Sequence, residues 1–218
     1  MIAIIKRDLL LALRSGGAWL LGIIFFTLFV TFCVIAIGAD KDTLSALAPA
    51  LIWLSVLFSA LLSFQDIFSR DMQDNTLEQM IMAPLSGLKI AAAKACSFAI
   101  LSIIPILATL PFAGLMLGLN TTTISALCLG IAFATPAISA YGTMASALMS
   151  QRGSGGFLII LISAPFLIPV LIFGMASVDS YAEDGIMATE FQAILGLSLI
   201  GIAIGLPAAA AALRANLE

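Results

Sequence analysis

The sequence predicts an all-α, polytopic membrane protein with six transmembrane helices, and three features carry that reading. Hydrophobic residues make up 62% of the 218 and charged residues only 10%, with a mean hydropathy of +1.18, far from the composition of a soluble domain. Asp, Glu, Lys and Arg are absent from residues 15–39, 43–65, 95–151, 153–178 and 191–213. These runs are continuous and lack the alternation of a membrane β-barrel, and helices are the other way to satisfy the backbone in hydrocarbon.

A helix needs about 20 apolar residues to cross the bilayer core. Four of the runs fit one span each, and the fifth, 95–151, holds two, divided by the polar break Asn120–Thr123. The expected spans within the single domain 1–218 are about 17–38, 44–65, 95–119, 123–149, 155–177 and 191–213, with a cytoplasmic segment 66–94. The first run follows basic residues, as a signal peptide does, but it is longer than an ordinary signal core and five spans follow it. It reads as a span. Lys6, Arg7, Arg14, Arg70, Lys89, Lys94, Arg152 and Arg214 all fall on one side of a six-span chain, with only Lys41 opposite. The positive-inside rule therefore predicts both termini in the cytoplasm. Asp40, Asp42, Asp179, Glu183, Asp184 and Glu190 fall on the outer face.

Ahead of the first span, Ile2, Ile5, Leu9, Ala12 and Leu13 follow helical spacing. They predict an amphipathic helix on the cytoplasmic leaflet, anchored by Lys6, Arg7 and Arg14 and bent at Gly16–Gly17. Between the second and third spans lies DMQDNTLEQMIMAP, Asp71 to Pro84. Arg70 and Asp74 stand at i, i+4, and Asn75 with Glu78 and Thr76 with Gln79 have capping-box spacing. Pro84 disfavours α geometry at Ala83, so a helix of about two turns is predicted. Leu77, Met80 and Ile81 share one face. Such a helix is unstable alone and needs the membrane surface, the rest of the loop or a partner to hold it. Asp71, Asp74 and Glu78 suit an anionic leaflet poorly, whereas a protein groove with basic groups suits both faces.

Several chemistries lack their residues. The chain has no histidine and no P-loop, and Cys33, Cys96 and Cys128 fall in different spans as small apolar packers. No catalytic or metal residue is assigned, no charge is expected inside a span, and no basic stripe suggests nucleic acid. Pro105, Pro111, Pro136, Pro165, Pro169 and Pro207 predict kinks, whether for shape alone or as hinges. Gly114/Gly118 and Gly201/Gly205 allow close helix contact.

The layout resembles the permease of an export-type ABC transporter, with an N-terminal amphipathic helix, six spans and a coupling helix between spans two and three. More closely, FSRDMQDNTLEQMIMAPLSGLKIAAAK (Phe68–Lys94), RGSGGFLIILISAPFLIPVLIFG (Arg152–Gly174) and AAAAALR (Ala208–Arg214) resemble the CcmB family, the haem exporter B permeases of cytochrome c maturation. The most specific element is Asp74, Thr76, Leu77, Glu78 and Gln79 with Pro84 following; the family's usual glycine is Asn75 here. The resemblance implies that Arg70, Asp71, Asp74, Thr76, Leu77, Glu78, Gln79, Met80, Ile81 and Pro84 couple to a cytoplasmic ABC ATPase that holds the ATP. It also implies a bacterial inner-membrane complex with a haem-handling membrane subunit and a small membrane component. That complex would deliver haem to a periplasmic haem chaperone, with haem as cargo and no cofactor on this chain. The layout alone would equally suit export of lipid, polysaccharide or a drug.

Overall fold

The computed structural model describes residues 1–14, 20–38, 40–82, 85–150 and 156–215, and these fold as helices with no strand among them. The expected bend at Gly16–Gly17, together with Pro84 and Arg152, lies outside the described residues. The elements are α1 (Ile2–Arg14), α2 (Leu21–Ile37), α3 (Lys41–Ser63), α4 (Asp66–Gln73), α5 (Thr76–Met82) and α6 (Gly87–Phe98). They continue with α7 (Ile104–Met116), α8 (Thr121–Met149), α9 (Gly156–Asp184), α10 (Thr189–Ile200) and α11 (Leu206–Ala215).

Among the described residues five continuous helices are long and apolar enough to cross a membrane: Lys41–Gln73, Gly87–Met116, Thr121–Met149, Gly156–Met187 and Thr189–Ala215. The chain is a multi-pass membrane protein. The remaining apolar helix, α2, has 17 residues, about 25 Å of rise against a core of about 30 Å. Large apolar side chains such as Phe32, Ile35, Phe157, Leu161, Ile172 and Leu199 face outward, as lipid contact requires.

Helix α8 is the central post, packed by α3, α6, α9, α10 and α11. Space is filled by pairing large rings with glycines. Trp53 of α3, fully buried, lies against Gly130 of α8 and Gly174 of α9; a Cβ on Gly174 would stand 2.4 Å from the indole. Phe64 lies over Gly142 in the same way, and Ser146 donates 2.6 Å to the Phe64 carbonyl where α3 gives way to α4. Gly201 and Gly205 approach the α8 backbone at Ala137 and Ala140. Gly114 meets Ile124, but Gly118 has a different task. At φ +76 it ends α7, with Leu119 N–H donating 2.9 Å to the Gly114 carbonyl and Gly118 N–H donating 3.1 Å to that of Leu115. Asn120 then caps α8 by accepting 2.8 Å from Thr123 N–H.

The prolines among the described residues divide into two groups. Pro105 and Pro207 follow the π turns Ala99–Ile103 and Gly201–Gly205, where a wider register takes up the missing donor and the ring clash. Pro49, Pro111, Pro136, Pro165 and Pro169 stay within α-helix.

The segment expected to be a cytoplasmic linker, 66–94, is mostly part of longer helices. Residues 66–73 continue from α3, and Ser86 caps a helix that begins at Gly87, accepting 3.4 Å from Lys89 N–H. The alanine-rich run behind that cap favours helix strongly enough to draw Lys94 inside it. Lys94 is therefore a buried residue of the long helix Gly87–Met116, just ahead of the charge-free run 95–151, and not a loop residue.

Candidate functional site

Helix α4 turns Ile67, Phe68 and Asp71 inward, the i, i+1, i+4 face of one helical turn. Asn75 closes it at φ +54, with Asp74 N–H donating 2.9 Å to the Arg70 carbonyl and Asn75 N–H donating 3.3 Å to that of Met72. Asparagine is one of the few side chains that enter the left-handed region cheaply, so it serves where glycine would be the default. The chain reverses there into α5, a seven-residue helix.

Of the residues expected to face an ATPase, Leu77 and Met80 are buried in this chain's own core, and Ile81 packs against it half-buried. The rest of the chain thus supplies the holding surface that a two-turn helix needs. Asp71, expected among the outward acids, is 3% exposed. What remains outward is Gln73, Asp74, Asn75, Glu78 and Gln79, a polar face with two carboxylates, together with the apolar Met82. Arg70 and Thr76 are half-buried.

Asp71 is the hub of an ion cluster. Its Oδ1 accepts from Arg7 Nη2 and, at 3.0 Å, from the Thr76 hydroxyl, and its Oδ2 pairs with Lys94 Nζ. Asp8 completes the group: Oδ1 accepts from Arg7 Nη2 at 2.9 Å, and Oδ2 lies 2.9 Å from Lys94 Nζ. Lys94, 5% exposed, also stands 5.8 Å from the Phe68 ring centroid. Two cations and two carboxylates balance, which is the condition for keeping charge out of water. Burial works against the Arg7 charge, but the hydrogen bond to Asp8 and the fields of Asp71 and Asp8 outweigh it and raise its pKa.

Helix α1 packs on α6 through Ile4, Asp8 and Ala12. This face is rotated from the predicted stripe, because Asp8 is drawn to Lys94; Ile2 and Leu13 are exposed. Lys6 and Arg14 point outward, whereas Arg7 turns to Asp71. A cavity of about 90 Å³ adjoins the cluster, bounded by Asp8, Ser63, Asp66, Arg70, Ser97 and Ser102 among others. Asp8 and Lys94 were not legible as site residues; the one available signal was the adjacency of Arg7 and Asp8 on an otherwise apolar helix. Among the described residues no group of His, Cys, Asp or Glu has the makings of a metal site.

Comparison with known proteins identifies the family. The family described as CcmB protein matches residues 1–216. The chain is 35% identical to Heme exporter protein B of Bradyrhizobium diazoefficiens over 217 residues, 99% of this chain and 98% of that protein. It is 36% identical to Heme exporter protein B of Haemophilus influenzae over 218 residues, all of this chain and 98% of the relative. With the Escherichia coli K12 protein of the same name it shares 31% over 216 residues, 99% of this chain and 98% of that one. Matched along its whole length, the chain belongs to the CcmB family.

Proposed function

We propose that this chain is the non-catalytic permease subunit of an ABC transporter complex that exports or delivers haem to the periplasm for c-type cytochrome biogenesis. The full-length match to relatives named Heme exporter protein B carries the reading, and it favours haem over lipid, polysaccharide or drug cargo. The chain sits in the bacterial inner membrane with both termini cytoplasmic, in line with its basic residues. A separate ATPase hydrolyses ATP and docks on α5. A haem-handling membrane subunit and a small membrane component complete the complex, which supplies a periplasmic haem chaperone. Lys6 and Arg14, both exposed, hold α1 at the leaflet surface, with Arg7 contributing where its guanidinium reaches solvent.

Because Leu77 and Met80 are already covered, docking uses the outward face of α5 and the turn before it, with Asp74 and Glu78 meeting basic groups of the ATPase. Arg70, Asp71, Thr76, Leu77, Met80 and Ile81 act from behind by fixing that face, and Gln79 and Pro84 flank it. The test is co-purification of the ATPase with the Asp74→Asn/Glu78→Gln variant. Loss of the ATPase and of c-type cytochrome assembly is expected; an intact complex would contradict the docking site.

The absence of histidine favours one mechanism over another. A chain without imidazole lacks the commonest axial ligand and is left with methionine for haem iron, which modestly favours a mechanical role in releasing loaded chaperone over passage of haem through these helices. ATP-dependent haem uptake into vesicles holding this subunit and its ATPase would reverse that preference.

A further inference from the structure

We propose that Arg7, Asp8, Asp71 and Lys94 form a mechanical joint, with Asp8 and Lys94 as positioning residues that pass motion of α4–α5 into α1 and α6. The proposal rests on the reading of α5 as the ATPase-docking element. Each cation contacts both acids, so the four side chains close a ring: Arg7 to Asp8, Asp8 to Lys94, Lys94 to Asp71 and Asp71 back to Arg7. The ring draws on three helices, α1, α4 and α6, and Thr76 ties α5 into it through Asp71. An apolar contact can slide, because it has no direction. A buried ion ring cannot, since displacing one member leaves a partner charge unpaired in a low-dielectric site. Movement of α4 therefore obliges α1 and α6 to follow.

Two further observations suit a joint better than a static staple. The adjoining cavity of about 90 Å³ leaves space beside the ring into which its members can move together. The π turn Ala99–Ile103 contributes Leu101 and Ser102 to its wall, which puts a break in α-helical register beside the moving parts.

The test is hydrogen exchange on the whole complex, ATPase included, with and without a non-hydrolysable ATP analogue. In the wild type, amides of both α5 and α1 are expected to change protection on nucleotide binding. The charge-balanced Asp71→Asn/Lys94→Met variant keeps the Arg7–Asp8 pair neutral, and there α5 should still respond while α1 loses its response and cytochrome c yield falls. Arg7→Gln/Asp8→Asn, which removes both α1 members and leaves the Asp71–Lys94 pair balanced, should show the same loss. An α1 response retained in Arg7→Gln/Asp8→Asn overturns the joint even where the other double variant does not assemble. A wild-type complex in which α5 responds and α1 does not also overturns it, while leaving the docking reading intact. A wild-type complex in which neither responds removes both.

Discussion

The bundle around Trp53 and the ion ring around Asp71 are both buried meeting points of several helices, yet they hold together by opposite means. At Trp53, α3, α8 and α9 meet through shape, a large ring set into the hollows left by Gly130 and Gly174. At Asp71, α1, α4 and α6 meet through charge, two cations shared between two carboxylates. The first depends on volume and the second on balance. The chain places the shape-based contact within its spans and the charge-based one where the expected coupling segment enters the bundle.

That contrast orders the consequences of mutation. Lys94→Met leaves Asp8 and Asp71 facing a single cation; removing one partner of a buried ion pair costs about 3–5 kcal/mol, so a large drop in thermal stability of the purified protein is expected. Adding Asp71→Asn should return much of that loss, because neutrality is restored, and a double-mutant cycle measures the coupling. Gly174→Ala changes no charge but presses a methyl group into the Trp53 ring. Overpacking of this kind costs about 1–3 kcal/mol, and Trp53→Phe in the same chain should relieve it. Were Gly174→Ala to prove harmless, the shape-based half of the comparison would fail. Smallest is Asn75, whose φ of +54 sits between α4 and α5. Asn75→Ala should cost about 1 kcal/mol from left-handed strain, while Asn75→Gly should be neutral or slightly stabilising. Melting curves for the two variants check the sign.

How much could be read beforehand differs between the same two regions. The apolar helices follow from charge-free runs, and the α7–α8 turn from the polar break at Asn120. The short α5 was expected from capping spacing, but its start is built otherwise, with Asn75 at φ +54 and the Thr76 hydroxyl donating to Asp71. The ion ring was not, because counting charges as span boundaries treats Lys94 as the edge of a loop, when Ser86 and the alanines after it had already begun the helix. Asp8 could not be paired with Lys94 without knowing that α1 packs on α6, a contact between residues more than eighty positions apart. The orientation of α5 was hidden for a related reason. Periodicity shows that Leu77 and Met80 share a face, but not whether a partner or this chain's own core covers it.

The central claim, that this chain is a haem-export permease, is tested most directly by expressing it in bacteria that lack their own Heme exporter protein B and measuring haem-stained c-type cytochromes. The account predicts that cytochrome c is restored with the wild-type chain and not with the Asp74→Asn/Glu78→Gln variant. Membrane-inserted wild-type protein that co-purifies with the ATPase yet yields no c-type cytochrome would contradict it.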